Sequence, residues 1–377
     1  MSQLSTLQIG LIASRTQTSG SDRYYFDLLR ALRPLGVQVR GVVLGDPTAV
    51  DDPLPEIASF AREGSRAPSR WFGLRRAVAP LVGGSDVVVS HFAPHAFPVL
   101  DRIRSRPLVA HVHGPWTLEA RAQGLPMRTI ALRGLQEHAV YRRARRLVVL
   151  SESMARTLRD EYGVPSEKIR VVAGGVDLER FRPRGTRGDA RRAFGLPLER
   201  PLVVTARRLA PGKGVENLIE AASMIRARVP EVVIAIAGAG PYEDAFSARV
   251  RELGLVDTVR FLGYVRGDDI ATLYRAADLS VVPSVQHEGF GLVVIESLAC
   301  GTPTLVTPVD GLPEVVRGLE PGLTIEAPTA PALADAIASA LDGSRPLPDE
   351  ATCIAHAQRF AWPVIAAQVR EIYEEVA

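Results

Sequence analysis

The sequence predicts an α/β protein built on two parallel sheets, and three observations carry that prediction. Short, continuous apolar runs recur along the 377 residues, each bounded by Gly, Pro or polar residues and followed by a segment of helical period. Strands of that kind belong to parallel sheets covered on both faces. The runs fall into two sets of six on either side of a polar, Gly- and Pro-rich stretch at residues 179–200, read as a linker. The length also suits two domains, at roughly 150 residues each.

In chain order the first set comprises residues 7–13, 37–44, 87–91, 108–113, 147–151 and 169–173. The second comprises residues 202–205, 232–237, 259–263, 279–283, 304–307 and 323–325. Alternation of such strands with helices predicts one Rossmann-like domain over residues 1–180 and another over 181–360. The tail carries Val364, Ile365, Val369, Ile372 and Val376 at the spacing of an amphipathic helix. That helix, about residues 361–377, is a candidate to pack back on the first domain.

Composition narrows the class. With 46% hydrophobic and 23% charged residues the chain can bury cores, which excludes a disordered or collagen-like protein. Cys300 and Cys353 form no disulfide framework and have no metal-ligand spacing, which fits a reducing cytoplasm. The first apolar run soon meets Arg15, and no run approaches the roughly 18 apolar residues of a membrane span, so neither secretion nor insertion is expected.

The net charge of +3 is unevenly spread, with 25 basic and 17 acidic residues through Arg180 and an acidic excess thereafter. The basic half, with Arg62, Arg66, Arg70, Arg75 and Arg76 in one stretch, fits peripheral contact with an anionic membrane surface or an anionic, lipid-linked acceptor. A solvated, arginine-rich surface is the plainer reading and the favoured one. Arg142, Arg143, Arg145 and Arg146 fall at a helix carboxyl end, where the macrodipole accounts for them without nucleic acid. Only two lysines occur, Lys168 and Lys213.

Ligands of open parallel sheets collect beyond the carboxyl ends of strands, and four segments place unusual residues there. The first, Ala206-Arg207-Arg208-Leu209-Ala210-Pro211-Gly212-Lys213-Gly214, sets Arg208 and Lys213 on a constrained loop before a helix, where they can neutralise a diphosphate. In the second, Gly238-Ala239-Gly240-Pro241, the glycines allow close approach of the main chain. The third runs from Pro283 to Pro303. It contains Glu288, then Phe290, Gly291 and Leu292 at an expected helix start near Phe290, then Glu296 in an otherwise apolar turn, where a carboxylate must find partners such as ribose hydroxyls. The fourth is Ala110-His111-Val112-His113-Gly114-Pro115-Trp116. Alternation sends both histidines to one face, and His113 stands at the strand edge, able to bond a substrate hydroxyl. His91 and His95 occupy an equivalent edge. Taken singly, each segment has a plainer reading as surface charge, turn, cap or core histidine.

Several classes find no support. No Asp-x-Asp occurs to clamp a metal on a sugar diphosphate, and no His/Cys cluster has zinc spacing, so no metal is expected. The phosphate-loop motif and the full dinucleotide fingerprint are absent, which argues against kinases, ATPases and dehydrogenases.

In order and spacing the segments resemble the retaining nucleotide-sugar glycosyltransferases of family 4. The Glu-x7-Glu signature stands as Glu288 and Glu296, the Arg-x4-Lys pair as Arg208 and Lys213, and the Gly-x-Gly-Pro turn as Gly238 to Pro241. Further matches are Gly175-Val176-Asp177 with Phe181 and Pro183, Phe261-Leu262-Gly263, and Gly301-Thr302-Pro303 with Gly311-Leu312-Pro313-Glu314. The resemblance spans essentially the whole chain and implies the GT-B fold, two facing Rossmann-like domains with a cleft between them.

It also implies roles. Arg208 and Lys213 would hold the diphosphate and Glu296 the ribose. Glu288 and the amides of Phe290, Gly291 and Leu292 would hold the donor sugar, Gly263-Tyr264-Val265-Arg266 would frame the base, and His113 would touch the transferring sugar. The family's paired glycines in the first loop are replaced by Thr18-Ser19-Gly20-Ser21-Asp22, where Gly20 alone would approach the diphosphate. The implied reaction is metal-independent transfer, with retention, from a UDP-sugar in preference to GDP or dTDP, to an acceptor hydroxyl that the sequence does not name; no cofactor is implied. A GT-B epimerase or phosphorylase, or a non-catalytic nucleotide-sugar binder, are the other readings.

Overall fold

A computed structural model describes every residue except 1, 2, 14–19, 51, 268 and 320. The chain divides into two compact units, Met1–Gly175 with Trp362–Ala377, and Val176–Ala361.

The first unit holds a seven-stranded parallel sheet of β1 (Ser5–Ala13), β2 (Gln38–Gly45), β3 (Ile57–Ala61), β4 (Val87–Ser90), β5 (Leu108–Val112), β6 (Arg146–Val149) and β7 (Ile169–Val171), in the order β3-β2-β1-β4-β5-β6-β7. The second holds β8 (Leu202–Ala206), β9 (Val233–Ala237), β10 (Val259–Gly263), β11 (Leu279–Val282) and β12 (Thr304–Val306), in the order β10-β9-β8-β11-β12. The strand order reverses between β1 and β4 in one sheet and between β8 and β11 in the other. Such switch points open a crevice outside the strand ends.

The strands form where the sequence is densest in Val, Ile and Leu. Leu7, Ile9, Val42, Val88, Leu108 and Leu147 meet in one core, which helices cover. Local signals set the helix ends. Ser151 caps Glu152–Tyr162 by accepting from the Met154 amide at 3.1 Å, and Gly163 closes that helix in the left-handed conformation.

Two expectations need correction. Six strands per half become seven and five. Ile57–Ala61 is an added edge strand, buried at Ile57 and Phe60 but not at Ala58 or Ser59, too mixed a run to stand out. Residues 323–325 form no strand: Pro321–Leu323 is a 3-10 turn, and Thr324 makes only an isolated bridge to Val306. Leu323 and Ile325 are apolar because they are buried, whatever their backbone.

The stretch at 179–200 is not a free linker either. It contains the helix Arg187–Ala193, opened by a capping box of Thr186 and Asp189. It lies within the second unit, tied down by buried Arg191, which donates to the carbonyls of Ala276, Pro197 and Arg200 and pairs with Asp278 at 2.7 Å. The division falls at Gly175/Val176 instead of Arg180.

The tail helix Trp362–Val376 belongs to the first unit, burying Trp362, Ile365, Ala366, Val369, Ile372 and Tyr373 while Val364 stays exposed. A Cβ at Gly175 would lie 2.4 Å from the Trp362 ring, so only glycine lets the indole sit there. Glu375 pairs with Arg146 and Arg170. No helix among the described residues is long and apolar enough to cross a membrane.

Candidate functional site

In the second unit the site grows from the loops after β8 and β11, at the switch point. Gly214 has φ +73°, and a Cβ there would meet the Pro283 carbonyl at 1.6 Å, so glycine is what lets the two loops touch. The Val285 amide then bonds the Gly212 carbonyl at 3.0 Å. The contact brings Lys213 beside Glu288.

Glu288 Oε2 accepts from Arg207 Nη2 at 2.6 Å, Ser284 Oγ at 2.9 Å and Lys213 Nζ at 3.3 Å. The side chains of Arg207, Glu288 and Lys213 are 5%, 15% and 22% exposed, so the charges interact with little solvent screening. Burial pushes the Glu288 carboxyl up, but the charges of Arg207 and Lys213 and the bonds from Arg207 and Ser284 outweigh it, leaving the value at about 2. The Asp310 carboxylate accepts the Glu288 amide at 2.9 Å, and His287, just before it, holds a positive φ of 51°. Such backbone is unusual for a non-glycine residue and is kept by its surroundings.

The remaining expected residues fall around this cluster. Gly238 has φ +139°, and a Cβ there would meet the Arg207 carbonyl at 1.7 Å; one at Gly240 would meet the Leu209 carbonyl at 2.2 Å. Both glycines therefore serve the seating of the Arg207–Leu209 strand end on the turn. The Gly263 carbonyl accepts the Gly238 amide at 2.8 Å, which draws the loop with exposed Tyr264 and half-buried Val265 to the same edge. Arg208 is exposed beside the cluster, not in it.

The helix start is two residues later than expected. The helix is Leu292–Ala299 with Gly291 as its N-cap at φ 93°, so the amides without an intrahelical acceptor begin at Leu292, and Phe290 is buried against Phe360. Glu296 sits in the second turn, 4% exposed.

In the first unit a cavity of about 150 Å³ opens beyond β1, β4 and β5. Ser21, His91, His113, Trp116, Glu119 and Tyr141 line it. β5 ends at Val112, so His113 lies one residue past the strand, yet its ring still stacks with His91 and His111 at centroid separations of 5.7 and 6.3 Å. Tyr24 packs edge-on against His113 at 4.9 Å.

Desolvation by burial lowers His113 to about 4 and carries His91 and His111 well below their ordinary value, so the rings are neutral. Their bonds run outward through neutral groups. His91 Nε2 meets Gln8 Oε1 at 2.9 Å, and His111 Nε2 meets the Tyr373 hydroxyl at 2.8 Å. With its proton on Nε2, His91 turns a lone pair on Nδ1 toward His113 Nε2, 3.4 Å away, which leaves Nδ1 of His113 as the acceptor. His95 is structural, bonded to the Gly10 carbonyl at 2.8 Å.

Gly20 opens the helix Gly20–Leu32 and is exposed; Thr18 and Ser19 of that loop lie outside the described residues. Asp22 in its first turn accepts the Ile12 amide at 3.1 Å. Among the described residues no group of three His, Cys, Asp or Glu side chains is arranged to hold a metal ion.

Two residues were missed. Glu137 is buried and accepts from the Trp116 and Thr117 amides, the Thr117 hydroxyl, Tyr141 and Tyr162, which fixes the cavity wall. Its position among Ile130, Val140 and Tyr141 on a buried helical stripe was the available signal. Arg207 continues the face of buried Thr205 by strand alternation, whereas Arg208 turns the other way.

Comparison with known proteins identifies the family and the fold. Residues 18–180 match the Glycosyltransferase Family 4 domain and residues 186–360 the Glycosyl transferases group 1 domain. D-inositol 3-phosphate glycosyltransferase from Actinosynnema mirum is 33% identical, covering 90% of this chain and 84% of that protein. The protein of the same name from Thermobispora bispora is 36% identical over 65% of this chain, a match that spans only 59% of the relative's length. Sucrose-phosphate synthase from Thermosynechococcus elongatus superposes with a TM-score of 0.81 at 24% identity, covering 99% of this chain and 98% of that one. Anabaena HepE in complex with UDP-glucose does so at 0.81 and 19% identity, covering 99% and 100%. The fold is that of the GT-B glycosyltransferases, and the chain belongs to glycosyltransferase family 4, with a second unit of the group 1 type.

Proposed function

We propose that the protein transfers a hexose-like unit, with retention and without a metal ion, from a nucleotide diphosphate sugar to an acceptor hydroxyl. The observation that carries this reading is the clamped Glu288 carboxylate beside Lys213, at a switch point and ahead of the helix start at Leu292. HepE was solved with UDP-glucose, which favours UDP as the nucleotide. The relatives' name makes a phosphorylated cyclitol the first acceptor to test.

In this mechanism the bond between the anomeric carbon and the diphosphate oxygen breaks and the leaving group gains negative charge. Lys213, Arg208 and the first-turn amides at Leu292 stabilise that charge, each contributing about 3 kcal/mol to the transition state. Glu288 accepts a hydroxyl of the donor sugar and Glu296 the ribose hydroxyls. His113, neutral and with Nδ1 as acceptor, orients a hydroxyl of the transferring sugar. The acceptor oxygen attacks from the face the diphosphate leaves, and its proton passes to a diphosphate oxygen.

Incubation with labelled UDP-glucose or UDP-N-acetylglucosamine and a panel of cyclitol and lipid-linked acceptors tests this. The expected products are an α-glycoside and free UDP in the presence of EDTA. Sugar isomerisation would make the protein an epimerase, and binding without turnover would make it a binding protein. Either result overturns the reading.

A further inference from the structure

We propose that Arg207, which lies outside the Arg-x4-Lys pair, is the positioning residue that fixes Glu288 as a permanent acceptor and turns one chosen oxygen of it toward the substrate. The inference rests on the reaction proposed above and adds a residue that the family signature does not contain.

The geometry assigns the role in three steps. Arg207 is held at its main chain, where its amide bonds the Ala237 carbonyl at 2.8 Å and its own carbonyl fills the space that a side chain at Gly238 would need. Its guanidinium is then committed to one partner. Nη2 reaches Glu288 Oε2 at 2.6 Å, while Nε and Nη1 are buried with no hydrogen-bond partner among the described residues. A buried cation with one counter-ion among the described residues and two idle donors depends on that partner, because loss of Glu288 strands Arg207, whereas loss of Arg207 leaves Glu288 to Lys213 and Ser284 alone. Finally, Arg207, Ser284 and Lys213 all converge on Oε2. Oε1 takes none of these three bonds and is the oxygen offered to a donor hydroxyl.

Two consequences separate Arg207 from Arg208. Arg208 and Lys213 serve the diphosphate, so they govern affinity for the nucleotide itself. Arg207 serves the sugar end through Glu288, so it governs turnover and the recognition of the sugar, and it keeps the carboxylate ionised at low pH.

The test compares Arg207→Gln, Arg207→Lys and Arg208→Ala. UDP affinity is measured by calorimetry, and kcat and KM for UDP-glucose by a steady-state donor assay. Arg207→Gln is expected to bind UDP within about twofold of the unsubstituted protein and to lose about a hundredfold in kcat/KM for UDP-glucose. Arg207→Lys should recover about tenfold of that loss by restoring the charge without the fork geometry. Arg208→Ala should lose UDP affinity.

Weakening of UDP by Arg207→Gln as large as that of Arg208→Ala would make Arg207 a phosphate ligand and overturn the assignment. So would an unchanged kcat/KM, or a loss that Arg207→Lys does not partly recover. Should Arg207→Gln not fold, Arg207→Lys is read in the same way. Were the unsubstituted protein inert with every nucleotide sugar, the proposed reaction would fail. The Arg207 assignment is then decided by acid opening of the second unit, followed through hydrogen exchange of the helix Leu292–Ala299, whose midpoint must rise in Arg207→Gln and stay near the unsubstituted value in Arg207→Lys if Arg207 holds Glu288 ionised.

Discussion

The two units bury polar side chains at equivalent switch points and solve the cost of doing so in opposite ways. In the second, charge is kept and compensated: Glu288 stays ionised because Arg207 and Lys213 stand against it. At the histidines of the first, charge is removed. His91, His111 and His113 are neutral, stacked around Tyr24 and bonded to Gln8 and Tyr373. The difference follows from chemistry, since arginine cannot give up its proton in a protein whereas imidazole does so near neutrality. On the function proposed above, cations in the second unit suit a diphosphate, and neutral rings in the first suit hydroxyl groups.

The contrast breaks most readily at Glu288. Glu288→Gln strands Arg207 as a buried, unpaired cation, so a loss of about 3–5 kcal/mol in stability is expected, with turnover reduced by more than about a hundredfold. Urea unfolding and a donor assay measure the two. A stability change under about 1 kcal/mol would mean that the pair is solvated and the comparison wrong.

Acidification sharpens it next. His95 and His113 are lowered to about 4 by burial, and His91 and His111 further. The unfolded chain, with histidines near 6.5, therefore binds protons that the folded one refuses. The first unit is expected to keep full stability above about pH 6.5 and to lose on the order of a few kcal/mol as pH falls toward 4. Glu288 behaves otherwise. Its depressed value means a contribution present above about 4.5 and lost only as pH falls through about 2. Trp71, Trp116 and Trp362 all lie in the first unit, so tryptophan fluorescence reports it alone. Hydrogen exchange of the helix Leu292–Ala299 reports the second. Opening of that helix before the tryptophan signal moves would reverse the assignment.

Smaller effects test single contacts. Arg208→Ala, on an exposed residue, should shift stability by less than about 0.5 kcal/mol while lowering nucleotide affinity, separating binding charge from structural charge. Tyr373→Phe removes the bond to His111 Nε2 and is expected to cost about 1 kcal/mol, a shift of about 2–4 °C in the melting temperature. A larger loss would show that the histidine stack depends on the tail helix as a whole.

Much of this is legible in the sequence alone. Runs such as Val87–Ser90 and Val233–Ala237 are so uniformly apolar that burial on both faces was the only consistent reading. Gly238 and Glu288 were marked by residue type and place. Ile57–Ala61 was not, since an edge strand need bury only one face and leaves a broken pattern. Arg207 was overlooked beside Arg208 because two adjacent arginines look alike until strand alternation sends one inward. Glu137 looked like one more helical glutamate, and its five donors come from residues 116, 117, 141 and 162.

Backbone periodicity and residue volume are local properties, so the order of amino acids was enough to specify parallel sheets, their approximate strands and the loops bearing the chemistry. Partnership between side chains is not local. Arg207 and Glu288 are 81 positions apart, and His111 and Tyr373 are separated by 262. Which arginine meets the carboxylate, and which helix closes over the histidines, depends on distances that exist only after the strands have paired, because the energy of a buried charge or hydrogen bond is set by what surrounds it.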